Sequence, residues 1–360
     1  MNKDITRRNF LKLAVATGIA ASLPFAGQLT FASNPTYPLP SPPSPVGYAT
    51  NTFMARSIAA GVYVRASADR NAEVVGYLRE DQVVLVTGKV TAEEPQHNPV
   101  WYRVQDGFVH SSWLQPVRIR YQKTPARFPK NSFLTEVSVP FVDARWEPWF
   151  GAGKAYRYYY GTTFWITSIS EDDAGNVWYK VWDDRAAGYH YAPARAMRIL
   201  PYQEFSPISP QVPPDQKRIH VDSQTNRISV YEYDQLVFEL PICTGDWYKE
   251  GGEWKDYTTT PGTYRVLWKM PSRHMAGGDL ASADGFDLPG VPWCTFFSSS
   301  GMAIHGTYWH NDFGVRRSHG CVNVPSEVAH WLYRWTTPYL SADVDYQPAK
   351  NKEGTLIEVI

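Results

Sequence analysis

Two proline-rich segments divide the chain, and they constrain its fold more than any other feature. Six of the twelve residues from 34 to 45 are proline, as are five of the fourteen from 201 to 214. Proline lacks the backbone N–H that an α-helix interior and a sheet ladder require, so we expect neither segment to form a strand or an α-helix. We therefore expect a linker over residues 34–54, a hinge over residues 201–216, and folded units between and after them.

The residues before the first linker predict an export signal. Residues 1–33 contain the pair Arg7-Arg8, followed by a mostly apolar run of small residues. This layout is typical of a twin-arginine signal, so we expect an exported, extracytoplasmic protein. Cleavage is favoured because Gly18 and Pro24 interrupt the apolar run; an uncleaved run would remain as an N-terminal membrane anchor.

The composition of the mature chain fits a globular protein without a nucleic-acid partner. Hydrophobic residues make up 43% of the chain and aromatic residues 15%, which is enough to bury sizeable cores. The signal contains four basic residues and one acidic residue, which leaves 31 basic and 34 acidic residues after cleavage. A nucleic-acid-binding protein would need a strongly basic face, and this balance argues against one.

Short β-rich runs separated by turns fill residues 55–118. A weaker internal repeat of the same pattern fills residues 130–200. The runs in the first segment are Val62–Arg65, Val74–Leu78, Val83–Thr87, Trp101–Val104 and Phe108–Trp113. Trp178-Tyr-Lys-Val181 repeats Trp101-Tyr-Arg-Val104 at an offset of 77 residues. The pattern predicts two small barrels and resembles bacterial SH3-like modules. Two functions are open for these units: they recognise the wall or the substrate, or they act as structural spacers.

From residue 217 the pattern is again mainly β, with one helix. After Val324-Pro325, apolar residues recur at helical spacing; they are Val328, Trp331, Leu332 and Trp335. The helix begins soon after Cys321, so its positive end is expected to favour a thiolate there. The segment Asp246–Asp287 is long, glycine-rich and charged, holds one clear strand, and predicts a lid loop. Within it, His274 is expected at the surface.

The stretch from Met302 to Asn323 carries the candidate chemistry. Cys321 lies in a small polar turn, and a nucleophilic thiol needs a base to form thiolate. His305, at the end of an apolar run, is the candidate base, and His319 is two residues before the cysteine. A small core cysteine is the ordinary alternative. A zinc site is another, with Cys321, His319, His305 and His310 as ligands.

These residues resemble the active-site signature of the L,D-transpeptidases, the penicillin-insensitive enzymes that cross-link bacterial peptidoglycan. The similarity is carried by Ile304-His-Gly-Thr307 and Ser318-His-Gly-Cys-Val-Asn323, and it spans about Lys217 to Ile360. It implies a β-sandwich-type catalytic domain over residues 217–360 and a protein associated with the cell wall. Many members have arginine where this chain has Asn323, which bears on substrate preference.

The resemblance also implies a mechanism. Cys321 would form a thioester with a peptidoglycan tetrapeptide stem, release D-alanine and pass the acyl group to an amine of another stem. His305 would act as the base and His319 would polarise the site, while the backbone N–H groups of Gly320 and Cys321 would form an oxyanion hole. The candidate substrate-binding residues are Ser318, Asn323, Thr307, Gly306, Tyr308 and Trp293. No metal or cofactor is required, and with water as acceptor the enzyme would be a carboxypeptidase.

The expected partners are peptidoglycan stem peptides, with carbapenem-type β-lactams as covalent inhibitors and a monomer favoured. Three alternatives stay open: a wall-cleaving cysteine peptidase, a non-catalytic wall-binding protein and a zinc hydrolase. In those peptidases the cysteine precedes the histidine, whereas His305 precedes Cys321 here. A disulfide in this chain would join Cys243 to Cys294 and leave Cys321 free; the sequence does not decide whether that bond forms.

Overall fold

The computed structural model gives three β-rich units in succession. It describes residues 40–41, 52–125, 127–129, 131–277, 285–350 and 353–360. The predicted export signal and most of the predicted linker lie outside these ranges. None of the helices within them combines the length and the apolar character needed to cross a membrane.

Eight short strands build the first unit. They are β1 (Phe53–Ser57), β2 (Val62–Arg65), β3 (Val74–Leu78), β4 (Val83–Val86), β5 (Gly88–Thr91), β6 (Val100–Val104), β7 (Gly107–His110) and β8 (Leu114–Val117). They form two sheets, with strand orders β4-β1-β8 and β3-β2-β7-β6-β5, around one apolar core. Alternation decides which side chains enter this core: in β2, Val62 and Val64 are buried and Tyr63 is exposed. Every predicted run lies in or overlaps one of these strands.

The second unit is one seven-stranded sheet. Its strands are β9 (Phe133–Val137), β10 (Phe141–Arg145), β11 (Lys154–Tyr159), β12 (Thr163–Glu171), β13 (Val177–Asp183), β14 (Gly188–Pro193) and β15 (Met197–Ile199), in the order β11-β10-β14-β13-β12-β9-β15. The repeated sequence falls in β6 and in β13, and each of these strands pairs antiparallel with the strand that follows it. Tyr102 and Tyr179, equivalent in the repeat, are both buried in the core of their unit. The SH3-like assignment of the two units stays a prediction.

Among its described residues the third unit contains the remaining strands and one α-helix. The predicted mainly β class is therefore confirmed. The strands are β16 (Lys217–Asp222), β17 (Arg227–Glu232), β18 (Gln235–Pro241), β19 (Cys243–Gly245), β20 (Trp247–Glu250), β21 (Glu253–Asp256), β22 (Gly262–Arg265), β23 (Trp268–Gly277), β24 (Phe286–Phe296), β25 (Ala303–Gly306), β26 (Val315–Ser318), β27 (Val322–Val324), β28 (Gln347–Pro348) and β29 (Leu356–Val359). A five-stranded sheet, β18-β17-β16-β29-β22, and a seven-stranded sheet, β26-β19-β27-β25-β24-β23-β28, contribute to one large apolar core.

Helix α1 (Ser326–Trp335) is the helix that the apolar spacing predicts, and all four of its predicted apolar residues are buried. Two fully buried lysines bind its C-terminal end. The ammonium of Lys217 donates to the carbonyl of Trp335 at 2.9 Å, and that of Lys269 donates to the carbonyl of Thr336 at 2.9 Å. The last carbonyls of a helix lack partners within it, so buried N–H donors suit this position. Burial lowers the pKa of both lysines, that of Lys217 to about 8.

The predicted lid segment contains more regular structure than the sequence suggests. The expectation of one clear strand is wrong, because β20 and β21 form an antiparallel hairpin and β22 and β23 follow it. Every residue of β21 is exposed, so this strand carries no buried alternation that would reveal it. We call β20 and β21 with their turn the hairpin. Residues 278–284 of the predicted lid lie outside the described ranges.

His274 is buried, and the prediction of a surface position is therefore wrong. Its Nδ1 lies 2.9 Å from the carboxylate of Asp183 in the second unit, and its Nε2 lies 2.5 Å from that of Asp287 in the third. Burial alone would lower the pKa of His274, but its hydrogen bonds to the two carboxylates outweigh burial and raise the pKa. A surface histidine would not bridge two folded units, and no local pattern signals this contact.

Cys243 and Cys294 do not form a disulfide. They lie on β19 and β24, which are separated by β27 and β25 in the seven-stranded sheet. Three strand spacings amount to about 14 Å, whereas the Cα atoms of a disulfide lie within about 7 Å. Cys243 instead donates its S–H to the carbonyl of Asp312 at 2.7 Å.

Candidate active site

The seven-stranded sheet brings Cys321 and His305 to one of its faces. β25 and β27 are parallel neighbours, with Ile304 opposite Val322 and His305 opposite Asn323. Cys321 precedes β27 directly, two residues before Asn323, so its side chain leaves the same face as those of Asn323 and His305. The thiol and the imidazole are therefore diagonal neighbours, whose backbones lie about 7–8 Å apart in a sheet.

One hydrogen bond fixes the orientation of the His305 ring. Its Nδ1 lies 3.0 Å from the carbonyl oxygen of Gly306, which can only accept, so Nδ1 carries the proton. Nε2 is then the basic nitrogen. The side chain is 2% exposed, and burial lowers the pKa of His305 to about 4. At neutral pH the imidazole is therefore uncharged and able to accept a proton.

Cys321 lies in a mostly apolar environment. It packs against a cluster that includes Met270, Cys294 and Ala303, and its Sγ lies 3.8 Å from the carbonyl oxygen of Gly301. Burial raises the pKa of Cys321 to about 11, so the resting thiol is protonated. Cys321 is the one partly exposed cysteine, whereas Cys243 and Cys294 are both buried.

The expectation that helix α1 lowers the pKa of Cys321 is wrong. Ser326, the first helical residue, donates to the carbonyl of Thr307 at 3.3 Å, and it contacts Gly306 so closely that a Cβ there would lie 2.8 Å from its hydroxyl. The helix thus begins against the end of β25 and packs on the face opposite Cys321. A helix dipole acts over its first turn, and here that turn faces Gly306 and Thr307.

His319 packs among three aromatic rings, of which that of Tyr248 belongs to the hairpin. Its ring is stacked on that of Tyr248, with centroids 4.0 Å apart and planes 9° from parallel. Tyr257 and Phe286 lie 4.9 Å and 5.0 Å away. The Tyr248 hydroxyl also donates to the carbonyl of Arg317 at 2.6 Å. The hairpin therefore lies directly over the turn that precedes Cys321, where the sequence predicts a cover.

Hydrogen bonds hold the turn from Ser318 to Cys321 from both sides. The Ser318 hydroxyl donates to the carbonyl of Cys321, and the Thr259 hydroxyl donates to the carbonyl of Gly320 at 3.1 Å. Gly320 has a φ of +102°, which other residues rarely adopt. Ser318 is buried and serves the turn itself, and Thr259 is a supporting residue that the sequence patterns did not single out.

Asn323 and His310 form a buried polar pair beside His305. The Asn323 amide nitrogen lies 3.0 Å from Nε2 of His310, and both side chains are 2% exposed. Burial lowers the pKa of His310 to about 3. The Thr307 hydroxyl donates to the carbonyl of His310 at 3.3 Å, so Thr307 also serves the loop that follows β25. His310 was expected only as an alternative zinc ligand.

Two aromatic residues expected at the substrate pocket lie elsewhere. Trp293 is 2% exposed in the main core, where its ring stacks on His330 4.1 Å away, on the face opposite Cys321. Tyr308 is 3% exposed, donates to the carbonyl of Pro289 at 3.1 Å and stacks on Tyr159 of the second unit. Both rings are core or interface residues, so the structure does not support their predicted role. Trp309 does lie near the site, 5.8 Å from His305 between ring centroids.

The zinc alternative finds no support in the arrangement of these side chains. The described ranges contain no group of three or more His, Cys, Asp and Glu residues placed to hold a metal ion. His319 stacks on the hairpin and His310 pairs with Asn323, so the four candidate ligands do not converge.

The third unit is mainly β and presents a cysteine and a buried, neutral histidine on adjoining strands. This is the arrangement that the motifs around Cys321 and His305 predict for a cysteine enzyme. The family model of the L,D-transpeptidase catalytic domain, YkuD, matches residues 216–359. This match confirms the resemblance for the third unit, the part of the chain that carries Cys321 and His305.

Solved L,D-transpeptidase structures are similar to this chain at low sequence identity. A variant from Enterococcus faecium is 20% identical over 41% of this chain and 50% of its own, with a TM-score of 0.30. An L,D-transpeptidase from Mycobacterium smegmatis is 18% identical over 54% of this chain and 81% of its own, with a TM-score of 0.32. The E. faecium catalytic domain acylated by ertapenem is 19% identical over 41% of this chain and 98% of its own, with a TM-score of 0.29.

The first of these matches covers half of the E. faecium protein. No curated protein matches the chain. The assignment of the third unit therefore rests on the family match and on the residues of the site.

Proposed function

We propose that the chain is an exported L,D-transpeptidase whose Cys321 forms a thioester with a peptidoglycan tetrapeptide stem. The observation that supports this most directly is the shared face of Cys321 and His305 within a unit that matches the L,D-transpeptidase catalytic domain. The polar pair of Asn323 and His310, and the aromatic contacts of His319, complete a site built around these two residues.

The first half of the reaction acylates the cysteine. The sulfur attacks the carbonyl carbon that joins the third stem residue, a diamino acid, to the terminal D-alanine, and the thiol proton passes to Nε2 of His305. The backbone N–H groups of Gly320 and Cys321 stabilise the oxyanion; each such donor typically contributes about 3 kcal/mol. The intermediate breaks its C–N bond, and D-alanine leaves with the proton from His305.

Proton transfer and attack are coupled in this site. The pKa of Cys321 is about 11 and that of His305 about 4, so a separated thiolate and imidazolium are unfavourable at rest. Each pKa unit corresponds to about 1.4 kcal/mol, and the charges must therefore form as the carbonyl is engaged. The hairpin over His319 excludes water at that moment.

The second half of the reaction transfers the acyl group. A side-chain amine of a neighbouring stem attacks the thioester carbonyl and gives up a proton, and the Cys321 thiol is restored. The product is a cross-link between the third residues of two stems. When water attacks instead, the product is a tripeptide stem and the activity is that of a carboxypeptidase.

The partners and the location follow from the same proposal. The twin-arginine signal would export the chain to the wall, where the stems are found. The E. faecium catalytic domain is acylated by ertapenem, and we expect a carbapenem to acylate Cys321 in the same way.

Incubation of the mature protein with a purified disaccharide tetrapeptide, followed by mass analysis of the products, tests the proposal. A dimer with the mass of two donors less one alanine supports cross-linking, and loss of alanine alone supports trimming. An unchanged donor together with a cysteine that no carbapenem labels would contradict both activities and favour a non-catalytic wall-binding protein.

A further inference from the structure

Residues 271–277 of β23 and 286–290 of β24 belong to an antiparallel pair of strands, and we call these two segments the arm. One face of the arm rests on the second unit, whose strand β12 contacts both β23 and β24. At this contact the Thr163 hydroxyl donates to the carbonyl of Pro271 at 2.7 Å. The second unit is therefore in direct contact with the arm.

The opposite face of the arm forms a wall of the site around Cys321. Met275 and Leu288 are opposite each other in the strand pair, and both pack against the same apolar cluster as Cys321. The ring of Phe286 lies 5.0 Å from that of His319 between centroids. The position of the arm therefore sets the shape of this wall.

His274 fastens the arm to the second unit. Its side chain is 4% exposed, and it lies between the carboxylate of Asp183 on β13, at 2.9 Å, and that of Asp287 on the arm, at 2.5 Å. Asp287 stands between Phe286 and Leu288 in the sequence, and successive side chains of a strand leave opposite faces. The contact that holds Asp287 against the second unit thus also positions Phe286 and Leu288 on the side of the site.

The charge of His274 decides how well this contact holds. A protonated imidazole donates from both nitrogens and serves both carboxylates, whereas a neutral one has a single N–H and presents a lone pair to the other carboxylate. Burial lowers the pKa of His274, but the hydrogen bonds to Asp183 and Asp287 outweigh burial and raise it. The contact is therefore complete below the ordinary histidine pKa of about 6.5, and it is lost as the pH rises through the raised value.

The groups around His274 leave it as the residue that responds to pH. The titratable and charged residues that face it from the elements packed against it are Asp183, Asp184, His190, Tyr156, Asp287 and its neighbour Arg273. Arg273 is paired with Asp184, and the Tyr156 ring meets that of His274 edge-on, 5.4 Å away between centroids. His190 is fully buried, and burial lowers its pKa, so His190 stays neutral in the range where His274 loses its proton.

We propose that His274 is a positioning residue for the reaction at Cys321, and that its imidazolium clamps the arm to the second unit so that the wall stands firm against the bound stem. Deprotonation of His274 loosens the wall and weakens binding of the stem, while the chemistry of Cys321 and His305 is unchanged. The second unit then supports the active site directly, which differs from both recognition and spacing. The effect on the stem rests on the proposed function, whereas the clamp itself does not.

Hydrogen exchange of the full mature chain at pH 5.5 and pH 8.5 tests the clamp without turnover. The rates of the arm peptides are divided by those of the same peptides in the unfolded chain, which removes the intrinsic effect of pH. The corrected rate in the parent should be at least tenfold higher at pH 8.5, and His274→Gln should show the higher rate at both pH values. Thr163→Val, which removes an uncharged contact of the same face, should change the corrected rate equally at the two pH values.

The release of D-alanine from a disaccharide tetrapeptide tests the consequence for the reaction. At pH 5.5, His274→Gln should raise KM at least fivefold with kcat within twofold of the parent, and at pH 8.5 the two proteins should agree within twofold. His220→Gln, which changes a half-buried histidine of β16 in the other sheet, should follow the parent throughout. Asp287→Asn alters the more exposed carboxylate, 36% exposed, and leaves the buried contact between His274 and Asp183 intact. It serves as the second variant should His274→Gln not fold, and it should raise KM at least threefold at pH 5.5.

Either of two results would overturn the inference. One is a corrected exchange rate of the parent arm that is equal at pH 5.5 and pH 8.5. The other is a KM at pH 5.5 that the folded variants leave unchanged, or that they raise equally at both pH values, since a merely structural contact would act at any pH. An unsubstituted chain that releases no D-alanine would contradict the proposed function instead, and the exchange rates would still decide whether His274 clamps the arm.

Discussion

The guanidinium of Arg56 donates a hydrogen bond of 2.8 Å to the backbone carbonyl of Tyr308. Arg56 belongs to β1 of the first unit, and Tyr308 lies three residues after His305 in the third. The same guanidinium binds Asp81 at 2.7 Å and lies 4.1 Å from the ring centroid of Tyr159 in the second unit. One buried side chain thus contacts all three units and holds the loop that follows the proposed catalytic base.

Replacing Arg56 should weaken the fold and slow the reaction at Cys321. In Arg56→Met, the buried carboxylate of Asp81 and the carbonyl of Tyr308 lose a donor, and breaking a buried ion pair typically costs about 3 kcal/mol. Urea unfolding should show a loss of this size, and acylation by a carbapenem should slow.

Arg227→Met is the matched control for this variant. Arg227 pairs with Glu239 on an exposed surface, and such a pair typically contributes less than about 1 kcal/mol. If Arg56→Met unfolds and reacts as Arg227→Met does, the connection between the units has no role in the site.

Alkylation of Cys321 by iodoacetamide should accelerate with pH. Because the pKa of the thiol is about 11, only a small thiolate fraction is present at neutral pH, and that fraction grows tenfold per pH unit. The rate, followed by intact mass, should therefore rise about tenfold per unit from pH 7 to pH 10. Cys321→Ser should lose this label. A rate that is flat above pH 7 would indicate a preformed thiolate.

His305→Gln should slow carbapenem acylation by about two to four orders of magnitude, because general-base catalysis typically contributes that much. In the parent, His305 has a pKa of about 4 and is neutral above about pH 5. As the pH falls through 4 the imidazole takes up a proton, and the rate should fall with it. A variant rate within threefold of the parent at pH 7 would exclude His305 as the base.

Removing the ring that covers His319 should loosen the hairpin. Tyr248→Ala loses the stacking contact with His319 and the hydrogen bond to the carbonyl of Arg317. Backbone amides of residues 247–256 should then exchange hydrogen faster, and KM for the stem should rise. Trp254→Ala is the control, because that side chain is 67% exposed on the same hairpin. Equal exchange in the two variants would contradict a closing role for Tyr248.

Local patterns in the sequence predicted much of the third unit. Helix α1 was recognisable because its four buried apolar residues recur at helical spacing. Cys321 and His305 were recognisable because reactive residue types stand beside glycines and further polar residues in one short stretch. These signals depend only on neighbouring residues, and the sheet register then adds the shared face of the two side chains.

Contacts between distant parts of the chain are not visible in local sequence patterns. Arg56 and Tyr308 are 252 residues apart, and His274 meets Asp183 across 91 residues. The resemblance predicts Trp293 at the pocket, but its ring packs on the opposite face of the sheet. Which face a ring occupies depends on the tertiary packing, and composition and spacing do not encode it.

The acyl-enzyme itself provides the most direct measurement. The mature protein is mixed with a disaccharide tetrapeptide, quenched in acid within seconds, and digested for peptide mapping. The peptide containing Cys321 should gain the mass of the donor less D-alanine, through a bond that neutral hydroxylamine cleaves. Product formation with no adduct on Cys321, or an undiminished rate of product formation by Cys321→Ala, would contradict an acyl-enzyme at this residue.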